Sequence, residues 1–209
     1  MIDNAMQTGR QENPFPKLAE HFGLQFEDKS GAKTDGKTIQ DMDYLVHGEY
    51  RGLPIEIKMA VHTQNENAPI GYMSAYSYTM DRKITFNIKN ADSKKFQIGP
   101  KTENLVSDPT GRKDFDDKLT LTGDKIVSDK FLNYSAELGW MNLKLDGQKL
   151  VLNDDFMDQF AKGGFSSMQM LTKQHPIWKN TPQNQAMDLD SVKKCLDQLV
   201  DLIEESKLN

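Results

Sequence analysis

The architecture can be read outward from residues 44–61, YLVHGEYRGLPIEIKMAV. Apolar and polar residues alternate on both sides of Arg51-Gly52, which is the period of a strand with one buried face. A two-residue turn at Arg51-Gly52 pairs Tyr50 with Leu53, Gly48 with Ile55 and Val46 with Ile57. The turn and the alternation place the apolar residues of both strands on the same face, so the stretch predicts a β-hairpin of fixed register.

A second hairpin is predicted over residues 141–152. Apolar residues alternate before and after Asp146-Gly147, which is a favoured type I′ turn. This turn pairs Leu143 with Leu150 and Met141 with Leu152, and it places these residues with Leu145 on one face.

Weaker patterns predict the remaining elements. A helix is expected from Pro14-Phe15-Pro16 to Gly23, because proline suits a first helical turn and glycine a helix end. Strands are expected around 76–88 (one long strand, or two joined near Asp81), 96–98, 119–121 and 165–171, and helices around 128–139 and 154–162. The last helix is predicted to begin at a capping Asp190 and to bury Val192, Cys195, Leu196, Leu199 and Ile203.

These elements predict an α+β fold. Hairpins follow one another without a βαβ rhythm, which favours a mainly antiparallel, strongly twisted sheet with the C-terminal amphipathic helix packed on it. A barrel-like version, with the bent sheet closed by that helix as in pleckstrin-type domains, has the same element order. Residues 1–13 are expected to form a flexible tail, and residues 14–209 a single domain.

Composition narrows the function classes. The chain carries 31 acidic and 26 basic residues, a net charge of −5 that argues against nucleic-acid binding. No apolar run approaches the length of a membrane helix, so membrane insertion is not expected. The single Cys195 and the absence of a signal-peptide pattern over residues 1–5 predict a cytoplasmic protein, although export without an N-terminal signal stays open.

The chain resembles prokaryotic domains of unknown function. The resemblance rests on Gly48-Glu49-Tyr50-Arg51-Gly52 with Ile55 after it, on Phe115-Asp116 leading into Leu119-Thr120-Leu121, and on a late hairpin followed by a final helix. It covers roughly residues 15–205, and the motifs are short. It implies no activity, and no functional residue can be carried over from it.

One motif indicates a specific chemistry, the binding of phosphate. Residues 31–38, GAKTDGKT, match the phosphate-loop pattern, in which backbone amides and the lysine bind phosphate and the hydroxyl binds magnesium. A true phosphate loop lies between a buried strand and a helix. Here Glu27-Asp28-Lys29-Ser30 precedes the motif and the strand at Tyr44 follows almost at once, so residues 28–41 are interpreted as a plain loop.

Several polar groups are candidates for a catalytic or metal-binding site. His47 is predicted to lie opposite Glu56, with His62 just beyond the second strand, and a carboxylate beside an imidazole is the start of a general base or a metal site. Two acidic clusters, residues 114–117 and 154–155, could bind a divalent cation, although neither fits an EF-hand. Both sets are more simply surface polar groups, and Cys195 is more simply part of the core, so no catalytic, metal or cofactor residue is assigned.

The leading interpretation is a non-enzymatic binding or assembly module. Tyr72, Tyr76 and Tyr78 form an aromatic stretch with few charges, which could hold a partner or a ligand on an exposed sheet face. Self-association is a third possibility, because exposed strand edges can pair between copies of the chain. His47 and Glu56 are the other candidate contact residues. The alternative is a metal- or phosphate-dependent enzyme that uses residues 31–38 or the histidine and carboxylate pair.

Overall fold

The computed structural model describes residues 13–30, 38–66, 75–88, 95–101, 110–124, 129, 132–133, 142–153 and 188–207. The helices are α1 (Phe15–Phe22), α2 (Lys113–Asp116) and α3 (Leu189–Lys207). The strands are β1 (Gln25–Asp28), β2 (Thr38–Tyr50), β3 (Leu53–Glu66), β4 (Ala75–Asn87), β5 (Lys95–Pro100), β6 (Leu119–Gly123), β7 (Asn142–Asp146) and β8 (Lys149–Asn153). The elements predicted over 154–162 and 165–171, and most of the helix predicted over 128–139, lie outside the described residues.

The eight described strands form one antiparallel sheet in the order β1-β2-β3-β4-β8-β7-β5-β6. Because β1 and β6 lie at opposite ends of this order, the sheet is open and not closed into a barrel. The α+β prediction is therefore confirmed, and its barrel-like version is wrong. No helix among the described residues has the length and apolarity needed to span a membrane.

The two faces of the sheet differ in composition, as strand alternation requires. Among strand residues 43–60, 82–87, 95–99, 119–123 and 142–153, the even-numbered residues of β2, β4, β5 and β8 and the odd-numbered residues of β3, β6 and β7 lie on the side of the helices. Val46, Ile57, Phe86, Leu145 and Leu150 on this face are at most 1% exposed, and they share one apolar cluster with Phe15 of α1 and Leu196 of α3. We call the opposite side the polar face.

The first hairpin has the predicted register. Tyr50 pairs with Leu53, Gly48 with Ile55 and Val46 with Ile57. Gly48 adopts φ +152°, and a β-carbon there would lie 2.9 Å from Leu24 Cδ2, so glycine lets the segment after α1 close over the hairpin.

The turn of the first hairpin is bound to the distant helix α3. The Tyr50 hydroxyl donates to Asp197 Oδ1 at 2.8 Å, and Arg51 Nη1 donates to Asp201 Oδ1 at 2.9 Å. Burial and the hydrogen bond to Asp197 raise the pKa of Tyr50. Burial of Asp197 opposes its ionisation, but the hydrogen bonds from Lys193 and Tyr50 outweigh burial and lower its pKa.

The second hairpin differs from its prediction by two residues in register. Leu143 pairs with Leu152 and Leu145 with Leu150, so the loop is Gly147-Gln148 and Asp146 is the last strand residue. The cause is the Asp146 carboxylate, which accepts the backbone N–H of Gln148 at 3.1 Å and of Lys149 at 2.9 Å. A shift of two residues keeps every side chain on its predicted face.

The structure also refines the predicted ends of two helices and the predicted loop over residues 28–41. Gly23 ends α1 in the left-handed region at φ +66°, as expected. The side chain of Asp188, not the predicted Asp190, caps α3 by accepting the N–H of Ser191 at 3.2 Å. The interpretation of residues 28–41 as a loop is wrong at both ends, because Asp28 ends β1 and β2 begins at Thr38.

The sheet changes width along its strands. Beyond the register row that joins Tyr44, Met59 and Arg82, only β2, β3 and β4 continue among the described residues. We call this part, residues 38–43, 60–66 and 75–81, the three-stranded extension. β4 is correspondingly a single long strand, which decides between the two forms predicted for residues 76–88.

Candidate binding surfaces

The polar face carries a continuous row of side chains across the sheet. Successive pairings place one residue from every strand in this row: Gln25, His47, Glu56, Thr85, Val151, Lys144, Gln97 and Thr122. The predicted position of His47 opposite Glu56 is confirmed by this register.

The hydrogen bond of His47 goes to a residue that the sequence did not single out. His47 Nε2 lies 2.9 Å from Glu27 Oε1, on the neighbouring strand β1. The same carboxylate is 3.0 Å from Lys29 Nζ, and hydrogen bonds from Lys29 and His47 lower the pKa of Glu27. Glu56 is exposed on the other side of His47. The arrangement is an edge-strand polar cluster in which Glu27, Lys29 and His47 bind one another.

The structure also accounts for one acidic cluster. Asp114 binds Arg112 Nη2 at 2.7 Å, and Asp116 accepts the N–H of Thr110 at 3.0 Å and of Gly111 at 3.1 Å. Asp116 thus holds the loop before α2 in place. Across the described ranges, no three His, Cys, Asp or Glu side chains gather as a metal site. Residues 154–155 lie outside those ranges.

The segment after the phosphate-loop match is a strand. Residues 31–37 are outside the described part of the chain, but Thr38, the last residue of the motif, begins β2 in an antiparallel sheet. A phosphate loop presents its hydroxyl residue at the start of a helix. The surroundings of the motif therefore lack the helix that phosphate binding by this loop uses. The alternative of a metal- or phosphate-dependent enzyme stays a prediction.

Tyr76 and Tyr78 lie far from His47. Tyr76 and Tyr78 belong to β4 within the three-stranded extension, where they pair with Asn65 and Thr63 of β3, and Tyr72 is outside the described residues. Along β3, Thr63 is seven residues from Glu56, or about 23 Å at the rise of an extended strand. The structure therefore does not gather the four described candidate residues, Tyr76, Tyr78, His47 and Glu56, into one site.

The edges of the sheet are not equally protected against pairing with another chain. Natural edge strands are kept apart by shortness, charge, proline or a bulge. β1 has four residues and carries exposed Glu27 and Asp28, and β6 has five residues, of which the first three are buried. The β2 edge of the extension contains Asp41 and a register irregularity between Thr38 and Gln40.

The edge of β4 carries none of these devices over residues 75–80, which read AYSYTM. β4 pairs with β8 only over Lys83–Asn87, and in the described parts of the chain no strand pairs with this edge over residues 75–81. The neighbouring pairing with β3 is regular from Ala75 to Phe86. We call residues 75–81 on this side the β4 edge.

The hydrogen-bonding direction of the β4 edge follows from its pairing with β8. The N–H of Ile88 donates to Gln148 O at 2.7 Å, so Ile88 points its backbone groups toward β8. Backbone groups alternate in direction along an antiparallel strand. The N–H and C=O groups of Tyr76, Tyr78 and Met80 therefore point to the β4 edge, and those of the residues between them point to β3.

Two features of these surfaces could not be predicted from the sequence, for different reasons. Glu27 lies in QFED, a four-residue polar strand without alternation, so no local pattern marks it. The alternation of apolar residues predicts β4, but the part of its edge that no described strand pairs with depends on where β8 ends. The lack of charge over residues 75–80 was the available signal.

Comparison with protein-family models, with curated proteins and with solved structures gives no match for this chain.

Proposed function

We propose that this chain is a non-enzymatic, protein-binding module that takes up an extended segment of a protein partner as an additional β-strand at the β4 edge. The observation that carries the proposal is the change in sheet width: β4 is paired on one side from Ala75 to Phe86, but with β8 only from Lys83 onward.

The chemistry of strand addition fits this edge. Each incoming residue that faces Tyr76, Tyr78 or Met80 can exchange two backbone hydrogen bonds with it, and such bonds supply affinity without regard to side-chain identity. Unpaired backbone groups at an edge are satisfied by water in the free chain and by the partner in the complex. The run of residues 75–80 has no charge that a partner strand would have to bring out of water.

A peptide library displayed on phage tests the proposal. We expect selected peptides of about ten residues to bind the wild-type chain and to lose at least about tenfold in affinity for Tyr78→Pro, because proline removes an outward N–H while sparing the pairing with β3. Tyr78→Ala is the matched control, since it keeps that N–H and should retain more of the binding. Circular dichroism checks that both variants are folded.

Two results would contradict the proposal. One is a set of peptides whose affinity is the same for Tyr78→Pro and for the wild type. The other is a set that loses as much affinity for Tyr78→Ala as for Tyr78→Pro, which would assign recognition to the side chain and not to an added strand.

A further inference from the structure

We propose that the polar face of the sheet binds the polar face of a second copy of this chain, about a two-fold axis that runs along the strands between β4 and β8. This inference goes beyond the proposed function, because it does not use the β4 edge. It names the surface, the partner and the side chains that meet.

Charge is unevenly distributed over the polar face. Exposed carboxylates lie on one half, where β2 contributes Glu49 and β3 contributes Glu56. Exposed lysines lie on the other half, where β7 contributes Lys144 and β5 contributes Lys95. In the described part of the chain, none of these four side chains forms an ion pair. A surface with the reverse order of charges would attract this face, and a two-fold rotation of the same chain supplies that order.

The register of the sheet brings these opposite charges together. The axis lies between the fourth and fifth strands of the order β1-β2-β3-β4-β8-β7-β5-β6, so β3 of one copy lies over β7 of the other, and β2 over β5. Glu56 and Lys144 belong to one row across the sheet, so each faces the other residue of the second copy. Glu49 and Lys95 share the next row and face each other in the same way. Two-fold symmetry repeats both ion pairs.

The rotation brings no like charges together among the strand residues of these two rows and of the row on their other side, which runs through Lys58. Each remaining charge there faces an uncharged residue of the second copy: Lys58, Lys83 and Lys149 face asparagines, Asp146 faces a proline and Glu27 faces a threonine. Like charges in contact across an interface would oppose association. The face is therefore complementary to itself in this orientation.

The size of the face also suits an interface between two copies. Eight strands about 4.8 Å apart and three rows of residues give an area of about 750 Å² per copy, close to the roughly 800 Å² of a standard interface. Thr85 and Val151, which lie nearest the axis, are buried and half-buried, so the longer charged side chains on either side make the contact. Twisted sheets that pack face to face cross at about 30°, which an axis inclined by about half that angle to the strands produces.

Charge reversal tests the pairing by analytical ultracentrifugation between about 1 and 500 µM. The wild type should dimerise. Glu56→Lys or Lys144→Glu alone should raise the dissociation constant of the dimer at least about tenfold, because each change brings like charges into contact. An equimolar mixture of the two single variants should recover the wild-type affinity, since every reversed residue then faces an opposite charge.

Glu20→Lys and Lys194→Glu are the matched controls. Both positions are exposed on helices, and the two changes alter the net charge as the test variants do, so they should leave the affinity unchanged. Circular dichroism checks that all variants are folded. A wild type that stays monomeric, or a dimer that neither reversal weakens, would overturn the inference while leaving the proposed function standing. Folded single variants whose mixture does not recover affinity would overturn the register.

Carbodiimide cross-linking tests the register independently, because it couples a carboxylate to an amine without a spacer. Within one chain, Glu56 and Lys144 are three strand spacings apart, about 14 Å, so their coupling requires two copies. In a mixture of isotopically light and heavy chains, mass spectrometry should find this link in peptides that carry both labels. Its absence at a concentration where the wild type is dimeric would overturn the pairing.

Discussion

The two hairpins that organise the sheet are held by different means. The turn of β2 and β3 is bound from far along the chain, because Tyr50 and Arg51 contact Asp197 and Asp201, 147 and 150 residues away. The turn of β7 and β8 is held by its own Asp146, which binds backbone groups two and three residues ahead. The first hairpin is therefore part of the packing between sheet and helix, while the second is a local structure, and the difference can be measured.

The largest effect is expected from Tyr50→Ala. The Tyr50 ring packs edge-on against Phe22 with ring centroids 5.8 Å apart, and its hydroxyl binds Asp197. Loss of both contacts at this half-buried position should lower the free energy of unfolding by about 2 kcal/mol. Urea denaturation measures the change. Tyr50→Phe keeps the ring and should lose only about 1 kcal/mol. If the two variants were equally stable, the ring would contribute nothing and the comparison with the second hairpin would fail.

A smaller effect is expected from Asp146→Ala in the second hairpin, about 1 kcal/mol for the loss of its backbone hydrogen bonds. Those hydrogen bonds lower the pKa of Asp146 below its ordinary 3.8. Its contribution is therefore complete above that value and is lost as pH falls through the lower pKa of the folded state. Denaturation at pH 7 and near pH 3 should show the gap between wild type and variant closing in acid.

Asp146→Asn is the control for that experiment, because it keeps an acceptor oxygen without a charge. It should stay closer to the wild type in stability than Asp146→Ala and should lack the acid dependence. A gap between wild type and Asp146→Ala that stayed constant from pH 7 to pH 3 would show that the carboxylate does not act through its charge.

The last comparison separates two roles of Arg51. Its φ of +48° lies in the left-handed region, which disfavours residues other than glycine, while its guanidinium binds α3. Arg51→Ala loses the ion pairs and keeps the strained backbone, whereas Arg51→Gly loses the ion pairs and relieves the backbone. We expect Arg51→Gly to be more stable than Arg51→Ala by about 1 kcal/mol in thermal or urea unfolding. Equal stability would mean that the turn adapts to alanine without strain.

The sequence predicted those features of the fold that depend on local residue patterns. Alternation with period two settles which side chains face the core, and this held in both hairpins even where the register of the second was displaced by two residues. The displacement arose because an Asp before Gly can serve as the last strand residue or as the first turn residue. The hydrogen bonds from Gln148 and Lys149 to Asp146 decide between these roles, and they exist only in the folded loop.

Features that depend on distant strands were beyond prediction. The pairing of β4 with β8, and of β5 with both β6 and β7, joins segments far apart in sequence. The same is true of Glu27, which reaches His47 only because β1 adds to the edge of β2. For the candidate site, the alternation around Tyr76 and Tyr78 predicts the strand, but the open part of its edge depends on where β8 ends.

The attachment of the first turn to α3 has a consequence during protein synthesis. Tyr50 leaves the ribosome 147 residues before Asp197, its partner. At a synthesis rate of about 5–20 residues per second, that separation corresponds to roughly 7–30 s during which α1, β1 and the first hairpin have been synthesised but α3 has not. The amino-terminal half of the core is thus a nascent chain with its apolar face uncovered, and chaperone binding in this interval is expected to depend on the rate at which the last helix is translated.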